Sequence, residues 1–178
     1  MSDRPPLPYA FFPSVPELTV ESPDIAEGVR LSPPQTSGAF GIEGGQDLSP
    51  ALSWSGAPEG IGSYAITCFD PDAPTGSGFW HWAVCDIPAS VTSLPAGAGT
   101  PGSADLPAGA VTLRNDAGIA GYLGSAPPEG RTHRYVFTVW AVGAESLGLP
   151  AEASPAFLGF HLFGAGVARG SITPIYHR

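Results

Sequence analysis

The sequence contains no lysine. Its seven arginines face sixteen acidic residues, giving a net charge of −9, and charged residues make up only 13% of the chain. An acidic chain without a basic run falls outside the usual class of nucleic-acid binders, and outside that of proteins held on anionic membranes by charge. Long apolar runs are missing too. No segment approaches the roughly 18 residues of a membrane-spanning helix, so no integral membrane association is expected. The N-terminus, MSDRPPLPYAFFP, is broken by proline where a secretory leader needs continuous apolar residues, and the protein is expected in the cytoplasm. Cysteine is scarce. Cys68 and Cys85 both lie in apolar strand-like runs, so two buried free thiols are expected in place of a disulfide framework.

Glycine (24) and proline (21) are abundant instead, beside a hydrophobic fraction of 43%. That combination describes a globular chain rich in turns, and 178 residues can bury one substantial core. Residues 1–16 carry five prolines and read as an arm without regular structure, leaving 17–178 as a single domain. Strands are predicted at Leu18–Glu21, Ala51–Trp54, Ser63–Phe69, Phe79–Ile87, Val111–Arg114 and Arg134–Val142, each rich in β-branched or aromatic residues and bounded by turn formers. Tyr64, Ile66 and Cys68 alternate onto one face. RYVFTVWAV is apolar on both faces, as a central strand would be. Residues 94–110 read as a mobile surface loop without chemistry. One helix is predicted over Ser154–Ala168, with Ser154 as N-cap and Pro155 at the first position; its glycines require close packing on a sheet. The expected fold is mainly β, two packed antiparallel sheets with a short C-terminal helical segment.

Two polar clusters stand out. In TCFDPDAP, Asp70 and Asp72 end an apolar run, and alternation places them on one side. Asp-Pro-Asp is also ordinary turn chemistry. A calcium loop would need an oxygen ligand at Pro74 and glycine at Thr75 and fails on both. An aspartyl-phosphate site would need alternating strands and helices and usually a lysine. A zinc site from His81, His133 and an aspartate lacks the short paired spacing of such sites. His81, in FWHWAV, falls opposite Trp80 and Trp82 by alternation and reads equally as a hydrogen-bonded core residue. The second cluster is RTHRYVFTVWAV, where His133 and Tyr135 share a face at the start of an apolar strand, the place where sheet rims hold ligands. Arg134 points the other way and reads as structural or surface. No nucleophile elbow exists and neither cysteine neighbours a histidine in sequence. His161 reads as core and His177 as solvent-exposed.

The segments DPDAPTGSGFWHWAV and GYLGSAPPEGRTHRYVFTVWAV resemble those of the phosphatidylethanolamine-binding protein family, and most closely its bacterial, Raf-kinase-inhibitor-like branch. LSPALSWSGAPEG and LRNDAGIAGYLG extend the resemblance from Leu18 to Tyr176. It implies a β-sandwich with a small anion pocket containing Asp70, Asp72, Pro74, His81, Pro128, His133 and Tyr135. It also implies backbone donors from the run 124–128, which includes Ala126, and a cis bond before Pro74. Where eukaryotic members often have glycine this chain has Ala126, so their roles in kinase control and flowering are not carried over.

The expected function is non-enzymatic binding of a small anionic or zwitterionic ligand such as phosphate or phosphorylethanolamine, without a cofactor. Asp70 is expected to orient His81 as an imidazolium, with Asp72 free to accept from a cationic head, giving tighter binding near pH 6 than pH 8. The alternative is a regulator that inhibits a protease or kinase by surface contact, through the arm or the 94–110 loop. Bacterial relatives suggest a homodimer.

Overall fold

The computed structural model describes residues 4–178; residues 1–3 of the predicted arm lie outside it. The largest sheet is antiparallel and has five strands. At its centre are β3 (Ser63–Asp70), β4 (Phe79–Pro88) and β8 (Val136–Val142), flanked by β6 (Val111–Thr112) and β9 (Gly166–Ile172) in the order β6-β4-β3-β8-β9. A second sheet joins β1 (Thr19–Glu21), β2 (Leu52–Ser55) and β5 (Ser93–Leu94). β7 (Thr132–Arg134) and β10 (Ile175–His177) pair separately. The predicted sheet-on-sheet architecture is present.

β3 and β8 are buried along their whole length because both faces of the large sheet are covered. Tyr64, Ile66 and Cys68 enter the core shared with Leu18, Leu52 and Trp54 of the small sheet. On the opposite face, Ala65, Cys85 and Trp140 pack under Leu158 and Leu162 of α1 (Pro155–Ala165). Each large side chain so buried contributes roughly 1.5–3 kcal/mol. The two cysteines are free, lie in these two different cores, and so face away from each other across the sheet.

The single predicted strand Arg134–Val142 is two strands. The chain breaks at Tyr135, whose N–H donates to the Pro174 carbonyl (2.9 Å), and β7 swings away to pair with β10. The helix begins as predicted, with Ser154 Oγ accepting the Phe157 N–H at 3.1 Å. It ends three residues early. A side chain at Gly166 would meet the Leu162 carbonyl and the Trp140 ring, each at 2.7 Å, and this close approach lets the chain turn directly into β9. The helix glycines do not pack on the sheet: a Cβ at Gly159 or Gly164 would meet nothing. Leu158 and Leu162 make the contact, while Phe157, Phe160 and Phe163 are exposed. His161 is not core. It is half-buried against the Phe157 ring, 4.8 Å between centroids.

The described part of the arm has no helix or strand but is tied down. Tyr9 shares a 2.8 Å hydrogen bond with Thr67 and sits edge-on to Trp140, and Arg169 donates to the Pro13 carbonyl at 3.0 Å. The 94–110 segment also differs from expectation. Its first part is inserted into the core, with Gly99 against the Trp82 indole and accepting the Tyr122 N–H at 2.6 Å; Pro101–Asp105 lies at the surface.

Candidate functional site

The ends of β3 and β4 and the segment 126–135 enclose a cavity of about 190 Å³. Asp70, Pro74, His81, Ala126, Pro128, His133 and Tyr135 all line it. Its polar side chains are deeply placed: Asp70 is 2% exposed, His81 5%, His133 4% and Tyr135 1%. Phe40, Ala73, Thr75, Phe79 and Pro127 complete the wall. Phe79 shares the alternating face of His81, their rings 4.8 Å apart, and could have been inferred from that spacing; Phe40 comes from a distant loop with no local signal.

Local geometry explains each position. β3 ends at Asp70, whose Oδ1 accepts the Asp72 N–H at 2.8 Å, so the Asp-Pro-Asp turn is closed by the carboxylate that also faces the cavity. On β4, Cys68 pairs with Trp82 and Phe69 with Trp80, leaving His81 as the extra residue of a β-bulge. The bulge interrupts the predicted alternation and re-aims His81 so that its ring lies edge-on to Tyr135 at 5.1 Å.

Three expectations are corrected here. First, the partner of Asp70 is His133: Nδ1 donates to Asp70 Oδ2 at 2.7 Å. His81 instead donates from Nδ1 to the Leu123 carbonyl, also at 2.7 Å. Burial, reinforced by the nearby His133, holds His81 down to about 4, against the pull of the Leu123 carbonyl, so it is a neutral imidazole near pH 7. Second, Asp72 is not on this cavity and is not available to a cation. Arg134 grips it from Nε (2.8 Å), Nη2 (2.8 Å) and its own backbone N–H (2.9 Å). Burial pushes Asp72 up, but these bonds outweigh it and hold the carboxyl below its ordinary value. The alternation that put both aspartates on one side stops where the strand stops. Third, every described peptide bond is trans, including the one before Pro74.

The expected run of backbone donors is reduced to one. The Gly124 N–H goes to Asp47 and the Ser125 N–H to Gln35, and prolines 127 and 128 have none, so Ala126 keeps the uncommitted N–H among the described residues. The Tyr135 hydroxyl on the cavity wall compensates: it is buried, and its neighbour Ser125 Oγ is too poorly aligned to give it a hydrogen bond of standard geometry. Burial raises both Asp70, against the pull of His133, and the Tyr135 phenol, which is therefore a donor at any ordinary pH. Among the described residues no group of three metal-ligating side chains converges, and no helix is long and apolar enough to cross a membrane.

The fold and site define a class, β-sandwiches with a buried imidazole–carboxylate pair in a small end cavity, and comparison with known proteins specifies the family. The Phosphatidylethanolamine-binding protein family matches residues 21–177, and the chain belongs to that family. It is similar to the UPF0098 proteins YbcL (48% identical, 88% of this chain and 86% of the relative) and YbhB (42%, 87% and 97%) of Escherichia coli. The crystal structure of E. coli YbcL superposes with a TM-score of 0.87 over 91% of this chain and 99% of that one, at 46% identity. A Chlamydia trachomatis homologue, CT736, shares the fold at a TM-score of 0.76 and 24% identity, over 91% and 98% of the two chains.

Proposed function

We propose that the chain is a non-enzymatic binding protein whose cavity takes a small oxyanion, the phosphate or carboxylate of a headgroup-sized ligand. The observation that carries this reading is Tyr135 Oη, a buried donor on the cavity wall with only the Ser125 hydroxyl as a poorly aligned partner, beside the Asp70–His133 pair. A poorly made buried hydrogen bond costs about 1–3 kcal/mol, which an oxyanion accepting from Tyr135 would recover. The volume of about 190 Å³ suits a headgroup and not a whole lipid. The family name points to phosphorylated headgroups of the same chemistry.

His133 uses Nδ1 on Asp70, so its Nε2 serves the ligand. Neutral His81 accepts a hydrogen bond from a protonated ligand oxygen. The binding reading is favoured over hydrolysis because the histidines have no nucleophile to activate. Thr75, the hydroxyl on the cavity wall, donates to the Gly78 carbonyl, and both thiols are buried in apolar cores.

The test is an NMR titration of the histidine ring protons with inorganic phosphate at pH 6. Saturable shifts of His81 and His133, with His161 and His177 unmoved, are expected; no shift overturns the reading. A second reading, regulation of a protease or kinase by surface contact, is favoured by the uncharged outer face of α1, where Phe157, Phe160 and Phe163 are exposed together.

A further inference from the structure

Arginine is distributed unevenly around the cavity. Five of the seven, Arg4, Arg30, Arg131, Arg134 and Arg178, lie at this end of an acidic molecule. On one side of the 128–131 turn, Arg30 and Arg178 share a cleft with Glu43 and Glu129, and the charges balance. On the other side the balance is positive. A second cavity, of about 390 Å³, is lined by Arg4, Arg131 and Asp72 and shares the His133 wall with the first. Its one carboxylate among the described residues, Asp72, is already gripped by Arg134. Arg131 takes part in none of the ion pairs among the described residues, and its side chain makes no hydrogen bond there.

The chain geometry connects this cation to the anion site. Arg131 closes the 128–131 turn, its N–H donating to the Pro128 carbonyl at 3.2 Å, and it lines the second cavity together with His133, which also lines the first. Tyr135 is deepest, His133 is next, and Arg131 is exposed at the open end. Two residues of chain span at most about 7 Å, so Arg131 lies within side-chain reach of His133. A group attached to an oxyanion on His133 and extending past that ring into the adjoining cavity meets a guanidinium, while the carboxylate that would have received an ammonium is held by Arg134.

We propose that the ligand carries a second acidic group, received by Arg131, and is a phosphorylated acid and not a phosphorylated amine. This rests on the oxyanion reading above and names the ligand class for that site.

Isothermal titration calorimetry at 50 mM salt, with wild type and Arg131→Gln, tests it with three probes. Inorganic phosphate reports the inner site alone. 2-Phosphoglycolate adds a carboxylate and phosphorylethanolamine adds an ammonium at similar size. Wild type is expected to bind phosphoglycolate about fivefold more tightly than phosphorylethanolamine, as an exposed ion pair permits. Arg131→Gln is expected to abolish that preference and leave phosphate affinity unchanged. Binding of phosphate with equal affinity for the two esters, or a preference for phosphorylethanolamine, overturns the second subsite and leaves the oxyanion reading standing. A preference that survives Arg131→Gln also overturns it. Failure of wild type to bind phosphate at all overturns the oxyanion reading, and this inference with it.

Discussion

Burial holds His81 down to about 4 from an ordinary value of 6.5, so between those values the unfolded chain binds a proton that the folded chain does not. Stability is therefore fully present above pH 6.5, falls as pH drops toward 4, and is flat below; the window is worth about 3 kcal/mol. His81→Gln, which keeps an N–H for the Leu123 carbonyl, is expected to remove this slope. Urea unfolding of both proteins at pH 7 and 4.5 measures it, and equal losses in the two would assign the slope to another group. Asp72 has the same sign in a lower pH window. Its carboxyl is depressed, so its contribution is present above pH 3.8 and is lost as pH falls through the folded value. Arg134→Ala is expected to cost about 2 kcal/mol at pH 7 and progressively less as pH falls below 3.8 and Asp72 takes up its proton. That Asp70 and Asp72 matter was legible in the residue pattern. Their separate partners were not, because the period-2 rule holds only while the strand lasts and β3 ends at Asp70.

The contrast between the two sides of α1 is an element-scale result. Leu162 lies in the core against the large sheet and Phe160 stands in solvent. Leu162→Ala is expected to cost about 3 kcal/mol, and Phe160→Ala to stay within about 0.5 kcal/mol, both read from denaturation midpoints. The arm behaves as an element without secondary structure: Tyr9→Ala removes the Thr67 hydrogen bond and two ring contacts, with Trp140 and Phe12. A loss of about 2 kcal/mol with a red-shifted Trp140 emission is expected. The central strands were readable because burial on both faces selects continuous apolar runs. β9 was not, since GVARGSI carries two glycines, one charge and no alternation, and becomes a strand only because β8 offers it an edge. Gly99 was unreadable for the same kind of reason. Its role is to have no side chain beside Trp82, and nothing in a loop of small residues marks which glycine that is.

At the scale of the molecule, the cavity draws together segments around residues 40, 70–81 and 126–135. Pairs within a segment, such as His133 with Tyr135, were visible from spacing. The bonds that fix their protonation were not, because they join residues 63 apart (Asp70 to His133) and 42 apart (His81 to Leu123). Such a site exists only in the folded chain, so a ligand bound there is linked to global unfolding. Phosphate at a hundred times its dissociation constant stabilises by about 2.7 kcal/mol. For a domain of this size that corresponds to a rise in Tm of about 5–10 °C. His133→Gln removes the ring that Asp70 orients on the cavity wall, so its Tm is expected to stay flat across the same titration, by calorimetry at pH 6. A rise that persists in His133→Gln would place the anion outside this cavity.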